Sequence, residues 1–288
     1  FKDRIFLTLG LYSIRSSSQL VGIPMPATTG FNSIQGNLDA TVQNRGVEVT
    51  LRTVNFQKPN FNWTTNFNIS FAKNKLLSFP DLEGSTYRNQ FVIGQALNIQ
   101  KVYHYTGLNP QTGVFTFEDT NGDGITDALD KQTVKDFNPE FFGGLSNQFT
   151  YKRWQLDFLL QFVKQQNYTS AAMAGLPGTM SNQPVEVLNH WQAPGDTAGF
   201  QLYTTGFNGD AVDAFYKYYE SDAVIGDASY IRLKNVSLTY KVPEKLLFGA
   251  SCRVIFEGQN LLTFTSYKGR DPEFKLSGYL PPLRVMTA

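Results

Sequence analysis

The chain has 288 residues, 41% hydrophobic, 14% aromatic and 17% charged, with 25 Lys and Arg against 24 Asp and Glu for a net charge of +1. A balance this close to zero, with the basic residues spread along the chain, gives no footprint for nucleic acid, and 24 Phe, 14 Tyr and 3 Trp exclude a disordered chain. No apolar run approaches the ~18 residues of a transmembrane helix and the mean hydropathy is −0.26, which excludes a helical membrane protein but not a β-barrel, whose strands alternate apolar and polar residues.

The first ten residues hold no long apolar stretch and no small-residue cleavage site, so no signal peptide is expected there; the chain is cytosolic or an internal piece of something longer. Ile5, Leu7, Leu9 and Leu11 then alternate with Arg4, Phe6, Thr8 and Tyr12, a period of two that predicts a strand. Val47, Val49 and Leu51 alternate with Glu48, Thr50 and Arg52, and Lys58, Pro59 and Asn60 supply a turn. The clearest strand is 60–74, where Phe61, Trp63, Thr65, Phe67, Ile69 and Phe71 alternate with Asn60, Asn62, Thr64, Asn66, Asn68 and Ser70. Its length exceeds the ~5–6 residues of a typical globular strand and meets the ~9–11 that cross a bilayer at a tilt. The polar face is amide and hydroxyl rather than Lys and Glu, which is closer to a barrel lumen than to the wet face of a soluble sandwich.

A weaker strand is expected at 99–105. From 143 to 162 the apolar phase inverts at Lys152 and Arg153, odd before (Leu145, Phe149, Tyr151) and even after (Trp154, Leu156, Phe158, Leu160, Phe162), which predicts a tight hairpin. Residues 230–240 and 251–259 form another pair joined by 242–249, bringing the total to about eight strands and little long helix. The stretch 171–223 is rich in Gly, Pro, Asn, Thr and Tyr with no sustained period, and a structureless loop of that size is unusual in a compact domain. Short turns at one end and long loops at the other are the asymmetry of an outer-membrane barrel. The clusters Tyr103 with Tyr105, and Tyr216, Tyr218 and Tyr219, fit interfacial girdles and loop packing equally well.

Asp119, Asn121, Asp123, Ile125, Asp127 and Asp130 fall at positions 1, 3, 5, 7, 9 and 12 of a calcium-loop template, with Gly124 at the sharp turn. Four carboxylates within twelve residues repel one another, and a hard divalent cation, Ca²⁺, is the natural compensation. The other reading is an Asx- and Gly-rich solvated turn without metal. Two departures favour that turn: Asp130 stands where the template has a bidentate Glu, and 114–117 reads as extended rather than helical.

Catalytic patterns are missing. The nearest approach to a nucleophile elbow, residues 144–148, lacks its second glycine, and the sequence has no Walker A lysine motif and no H-E-x-x-H. The single Cys252 has no partner for an intramolecular disulfide and reads as a partly buried small apolar residue. His104 and His190 adjoin aromatics, where stacking or a loop hydrogen bond is the favoured role over ligation. No catalytic residue and no enzyme activity is expected.

Several stretches together resemble one family, the SusC/RagA-like TonB-dependent outer-membrane transporters. They are N-R-G-V-E-V-T-L (44–51), D-T-N-G-D-G-I-T-D-A-L-D (119–130), N-P-E-F-F-G-G-L-S-N (138–147) and W-Q-A-P-G-D (191–196). S-D-A-V-I-G-D-A-S-Y-I-R-L-K-N-V-S-L-T-Y (221–240) and G-Q-N-L-L-T-F-T-S-Y-K-G-R-D-P-E (258–273) complete the series, followed by Pro281, Pro282, Leu283 and Arg284. The resemblance implies an all-β fold, part of a large antiparallel transmembrane β-barrel with long extracellular loops. Residues 1–288 would be its C-terminal part, with the plug domain and the final strand absent, the chain stopping at 285–288, about where that strand should begin. It further implies nutrient import, of glycan or peptide, in contact with outer-membrane lipid. A SusD-like surface lipoprotein would serve as lid, and a TonB complex would act through the plug. The loops 119–130 and 171–223 would then lie at the outer rim, facing lid or substrate. The competing reading is a secreted or surface β-protein, stabilised by calcium, that binds carbohydrate without transporting it.

Overall fold

A computed structural model describes residues 3–246, 248–274 and 280–288. Phe1 and Lys2 of the opening segment, and Leu247 of the 242–249 connection, lie outside the described residues.

Strand β1 (Ile5–Pro24) and β2 (Ser33–Lys58) form a hairpin, and β3 (Phe61–Ser78) follows a two-residue turn at Pro59 and Asn60. With 20 and 26 residues, β1 and β2 run far beyond the alternating segments that mark them in the sequence. The ladder continues to Ile23 opposite Ile34 through a mixed stretch without strict alternation, because backbone hydrogen bonds between two strands of a hairpin need no regular apolar pattern.

The long segment after β3 contains two small two-stranded sheets built from β4 (Ile99–Val102), β5 (Tyr105–Leu108), β6 (Phe115–Phe117) and β7 (Thr133–Asp136). In them β4 pairs with β7 and β5 with β6. The single strand expected at 99–105 is therefore corrected to two short ones that lie outside the main sheet. β8 (Phe141–Tyr151) and β9 (Trp154–Lys164) then form the expected hairpin, Tyr151 opposite Trp154, with Lys152 at φ 54° in the turn. A second long segment holds β10 (Gln166–Tyr168), the helix α1 (Gly209–Tyr219) and β11 (Ile225–Asp227). The chain closes with β12 (Tyr230–Lys241), β13 (Arg253–Thr265) and β14 (Val285–Thr287), which pairs with β13.

The main sheet has eight strands in the order β1-β2-β3-β8-β9-β12-β13-β14, each neighbour antiparallel. Its register sorts the two faces. One row runs Leu9, Val49, Ile69, Gly143, Phe162, Ile231 and Phe264; the adjacent row runs Thr8, Thr50, Asn68, Gly144, Gln161, Arg232 and Thr263. Because side chains alternate across a strand, the first row and its equivalents form an apolar face and the second a polar one. Gly143 keeps the apolar face smooth. A Cβ there would lie 2.1 Å from the Asn68 carbonyl oxygen and 2.6 Å from the Phe162 ring, which crosses the glycine to stack on Phe67 at 5.9 Å.

The connections confirm the asymmetry. Turns 59–60 and 152–153 and the β12–β13 connection leave from one end of the sheet, and segments 25–32, 79–140 and 165–229 and the β13–β14 connection from the other. The apolar face is aromatic at its short-turn end: Phe56 stacks on Trp63 at 5.9 Å, Trp63 on Phe149 at 5.3 Å, and Trp154 packs on Tyr240 at 4.5 Å. Among the described residues no helix is long and apolar enough to cross a membrane.

Candidate functional site

The polar face is concave enough to hold a cavity of about 420 Å³ bordered by Asn66, Ser146, Gln148, Asp157, Ser237 and Glu257. These positions come from β3, β8, β9, β12 and β13, so the register itself gathers them. Asp157 accepts from Gln148 Nε2 at 2.8 Å and from Gln155 Nε2 at 2.7 Å, which fixes a carboxylate among amides. Such a lining offers many weak donors and acceptors, as suits passage or binding of a polar solute.

At the long-loop end of this face sits a buried charge cluster. Arg232, 1% exposed, places its two terminal guanidinium nitrogens 2.5 Å from Asp271 and 2.5 Å from Glu273, and Nε donates to Thr263 Oγ1 at 3.0 Å. Lys234, the unpaired residue of a bulge between Leu233 and Asn235, adds a contact to Glu273 at 2.9 Å. The Asp271 carboxylate also accepts from the backbone N–H of Glu273, and Gln165 Nε2 donates to the Pro272 carbonyl at 2.7 Å. Tyr267 donates its hydroxyl to the Tyr168 carbonyl. The R-D-P-E residues of the sequence thus clamp one loop segment onto β12.

Above the sheet the two long segments share a core of Phe115, Val187, Phe200, Ala214, Phe215, Tyr218 and Val224. The stretch 171–223, expected to be structureless, is folded. Helix α1 starts where Asn208 Oδ1 accepts from the Ala211 N–H, carries an Asp213–Lys217 pair at 2.7 Å, and buries Ala211, Ala214, Phe215 and Tyr218. Those four stand at i, i+3, i+4 and i+7, a helical signal present in the sequence but flanked on both sides by turn-forming residues. The Phe115 ring stacks on Tyr218 at 4.5 Å, and Tyr105 meets both edge-on at 5.5 Å.

Polar contacts tie the segments further. Asp222 accepts from the Tyr105 N–H at 3.0 Å, and lies 2.9 Å from His104 Nδ1 and 3.6 Å from Lys135. Burial pushes the Asp222 carboxyl up, but these three partners outweigh it and hold the group below the usual carboxylate range. Burial also pushes the phenols of Tyr103 and Tyr105 up to about 12.

Tyr103, Tyr105 and Tyr218 are therefore loop-core residues and no girdle, whereas Tyr216 is 65% exposed. The girdle-like aromatics are Trp63, Trp154 and Tyr240 on the sheet, which the alternation marked as apolar without showing that they cluster at one end. Trp191 packs over Gly113, at φ 69°, and donates its indole N–H to the Pro110 carbonyl at 2.9 Å. His190 stacks on Tyr203 at 3.5 Å. Cys252 is exposed, a correction to its expected partial burial: it directly precedes β13, in the exposed connection after β12.

The 119–130 loop is organised by backbone hydrogen bonds. Asp119 accepts from the N–H groups of Gly122 and Gly124, Asn121 from that of Asp123, Asp123 from that of Ile125, and Asp127 from that of Leu129. Asp130 lies buried at the centre, accepting from the N–H groups of Thr120, Asn121 and Asp127 and from the Thr120 hydroxyl. Among the described residues no three acidic or His side chains converge as a cation cage, because the loop carboxylates are turned to backbone N–H groups.

The Asp127 N–H, ahead of an opposing burial effect and the Thr120 and Asn121 donors, holds the Asp130 carboxyl below the ordinary 3.8. A depressed folded-state value contributes stability above the unfolded value, and that contribution is lost as pH falls through the folded one. The amides of Thr120, Asn121 and Asp127 are expected to stay protected from hydrogen exchange at neutral pH and to lose protection only below pH 3.8. Protection lost already near pH 5 would disprove this account.

No family model matches the chain. The chain is 28% identical to TonB-dependent receptor P3 of Formosa agariphila, a match covering 95% of this chain and 29% of that protein. It is 25% identical to TonB-dependent receptor SusC of Bacteroides thetaiotaomicron, covering 92% and 27%. Among solved structures it resembles the RagAB peptide importer in its open-open state, with a TM-score of 0.74 at 22% identity over 95% of this chain and 30% of that one. For the closed-closed state the TM-score is 0.74 at 23% identity, covering 95% and 31%. The resemblance to SusC/RagA-like proteins is borne out, and the fold is a section of the same kind of antiparallel barrel. The chain spans 29% and 27% of the length of these two curated relatives.

Proposed function

We propose that this chain is the C-terminal part of the β-barrel of a TonB-dependent outer-membrane transporter that imports a glycan or peptide nutrient. The observation that carries this reading is the two-faced sheet, apolar on one side and amide-rich and concave on the other. The ten steps from Phe61 to Phe71 rise about 34 Å along β3, or about 24 Å at a ~45° tilt, which matches the ~25 Å apolar band of a membrane barrel. In this reading the apolar face meets outer-membrane lipid and the polar face lines the lumen. The layer containing 119–130 and 171–223 stands at the outer rim, where a SusD-like lipoprotein would close over the substrate. A TonB complex acts through a plug elsewhere in the transporter. The homologues named as receptors and transporters support a non-enzymatic role.

Two neighbouring positions on β3 test it. In the full-length protein Phe67→Arg, at the middle of the apolar band, is expected to lower barrel stability by about 2–4 kcal/mol. Asn66→Arg is expected to fold and insert normally while changing uptake of labelled oligosaccharide or peptide. Normal assembly of Phe67→Arg in outer membranes would refute the lipid-facing assignment and favour the secreted carbohydrate-binding protein. A calcium-bound form of the 119–130 loop is a separate proposal resting on ligand spacing alone. It requires Asp119, Asp123 and Asp127 to release their amides and turn to one centre, and calorimetric titration with calcium decides it: no heat of binding removes it.

A further inference from the structure

We propose that the outer surface of β1, β2 and β3 carries a binding groove for a phosphorylated membrane lipid, at the border between the apolar face and the long-loop end. The proposal rests on the membrane reading above. Within two rows past the apolar residues, each of the three strands places a cation on this face. The row Leu11, Val47 and Phe71 is followed by Ser13, Arg45 and Lys73, and that row by Arg15, Gln43 and Lys75.

A groove of about 500 Å³ straddles the border, with Leu11, Val47 and Phe71 as its apolar floor and Ser13, Arg45 and Lys73 at its polar rim. Its lining contains no carboxylate. Arg15, Arg45, Lys73 and Lys75 are exposed, and among the described residues none is in an ion pair. Asp136 and Glu140 border the adjoining cavity beside Arg45, Lys73 and Lys75, but Asp136 is engaged by the N–H and side-chain amide of Asn138. The contrast is Lys164 of β9, across from Phe141 on the same face, which is neutralised by Asp227 at 2.9 Å. Arg15, Arg45, Lys73 and Lys75 thus stand together on three strands, beside an apolar floor.

That pairing of chemistries fits one kind of occupant. An acyl chain lies along Leu11, Val47 and Phe71 while its phosphate reaches the Arg45 fork, which binds phosphate through two parallel hydrogen bonds, and the Lys73 ammonium beside it. Long basic side chains at such a border extend toward the headgroups while their stems cover apolar surface.

The test uses the full-length protein in phosphatidylcholine nanodiscs doped with lipid A, reading the lipid A retained per protein by native mass spectrometry. Arg45→Gln with Lys73→Gln is expected to weaken retention at least tenfold, the scale set by losing two basic contacts near a charged membrane surface. Lys164→Gln is expected to leave it unchanged, and the charge-conserving pair Arg45→Lys with Lys73→Arg to restore most of it. Equal retention by the double Gln variant and wild type overturns the proposal. Displacement of lipid A by inorganic phosphate at equal concentration overturns it too, since the site would then be one for the ion. Failure of wild type and variant alike to enter nanodiscs would instead sink the membrane reading, and this proposal with it.

Discussion

Arg232→Ala is expected to destabilise the full-length protein by about 3–5 kcal/mol, the range for removing one partner of a buried ion pair. Arg232 is 1% exposed and faces two carboxylates, Asp271 and Glu273, so truncation leaves both without the guanidinium that made their burial tolerable. Lys234 still reaches Glu273, so Asp271 bears most of the cost. Urea unfolding of the barrel and limited proteolysis at 266–274 are the measurements, with faster cleavage of that segment as the expected signature. Arg232→Lys rescues little, because one ammonium cannot meet two carboxylates and Thr263 in a forked geometry. Replacing Arg232, Asp271 and Glu273 together by apolar residues of similar volume is expected to restore much of the stability. Wild-type unfolding by Arg232→Ala would show the cluster to be incidental.

Phe115→Ala is the second large effect, about 3–5 kcal/mol, confined to the loop layer. The Phe115 ring is 3% exposed and touches Tyr218, Tyr105 and Phe200, so its removal empties the joint between the two long segments. The stability of such a layer is local, and its loss need not unfold the sheet. Hydrogen exchange should therefore quicken at the amides of α1 and of 103–108 while those of β3 and β8 keep wild-type protection. Uniform loss of protection across the sheet would mean that layer and barrel fold as one unit. Unchanged exchange in α1 would remove Phe115 from the core.

The strands that the sequence revealed are those where one face is apolar and the other is not, above all 60–74. Past Leu11 apolar residues such as Ile14, Leu20, Ile34, Leu38 and Val42 no longer keep a strict period of two, so much of each strand goes unread although the hydrogen-bonded ladder continues. Helix α1 was written at 211, 214, 215 and 218 but is only three turns long, among Gly, Pro and Asn on either side. Arg232 gives no local hint of its partners, which lie 39 and 41 residues away. A carboxylate oxygen spaced to meet a cation is equally well spaced to accept a backbone N–H, and Asp130 does the latter. The faces of the sheet were legible; the way the loops fold over them was not.

The shared core of the loop layer has a consequence for inheritance. His104 and Asp222 meet across 118 residues of sequence, and Phe115 and Tyr218 across a similar distance, so neither long segment carries a complete interior of its own. A recombination event that swaps one segment for a relative's would join two half-interiors that were never fitted together. New surface chemistry at this rim therefore arises most readily by point changes at outward positions such as Tyr216 and Phe207, or by exchanging both segments at once.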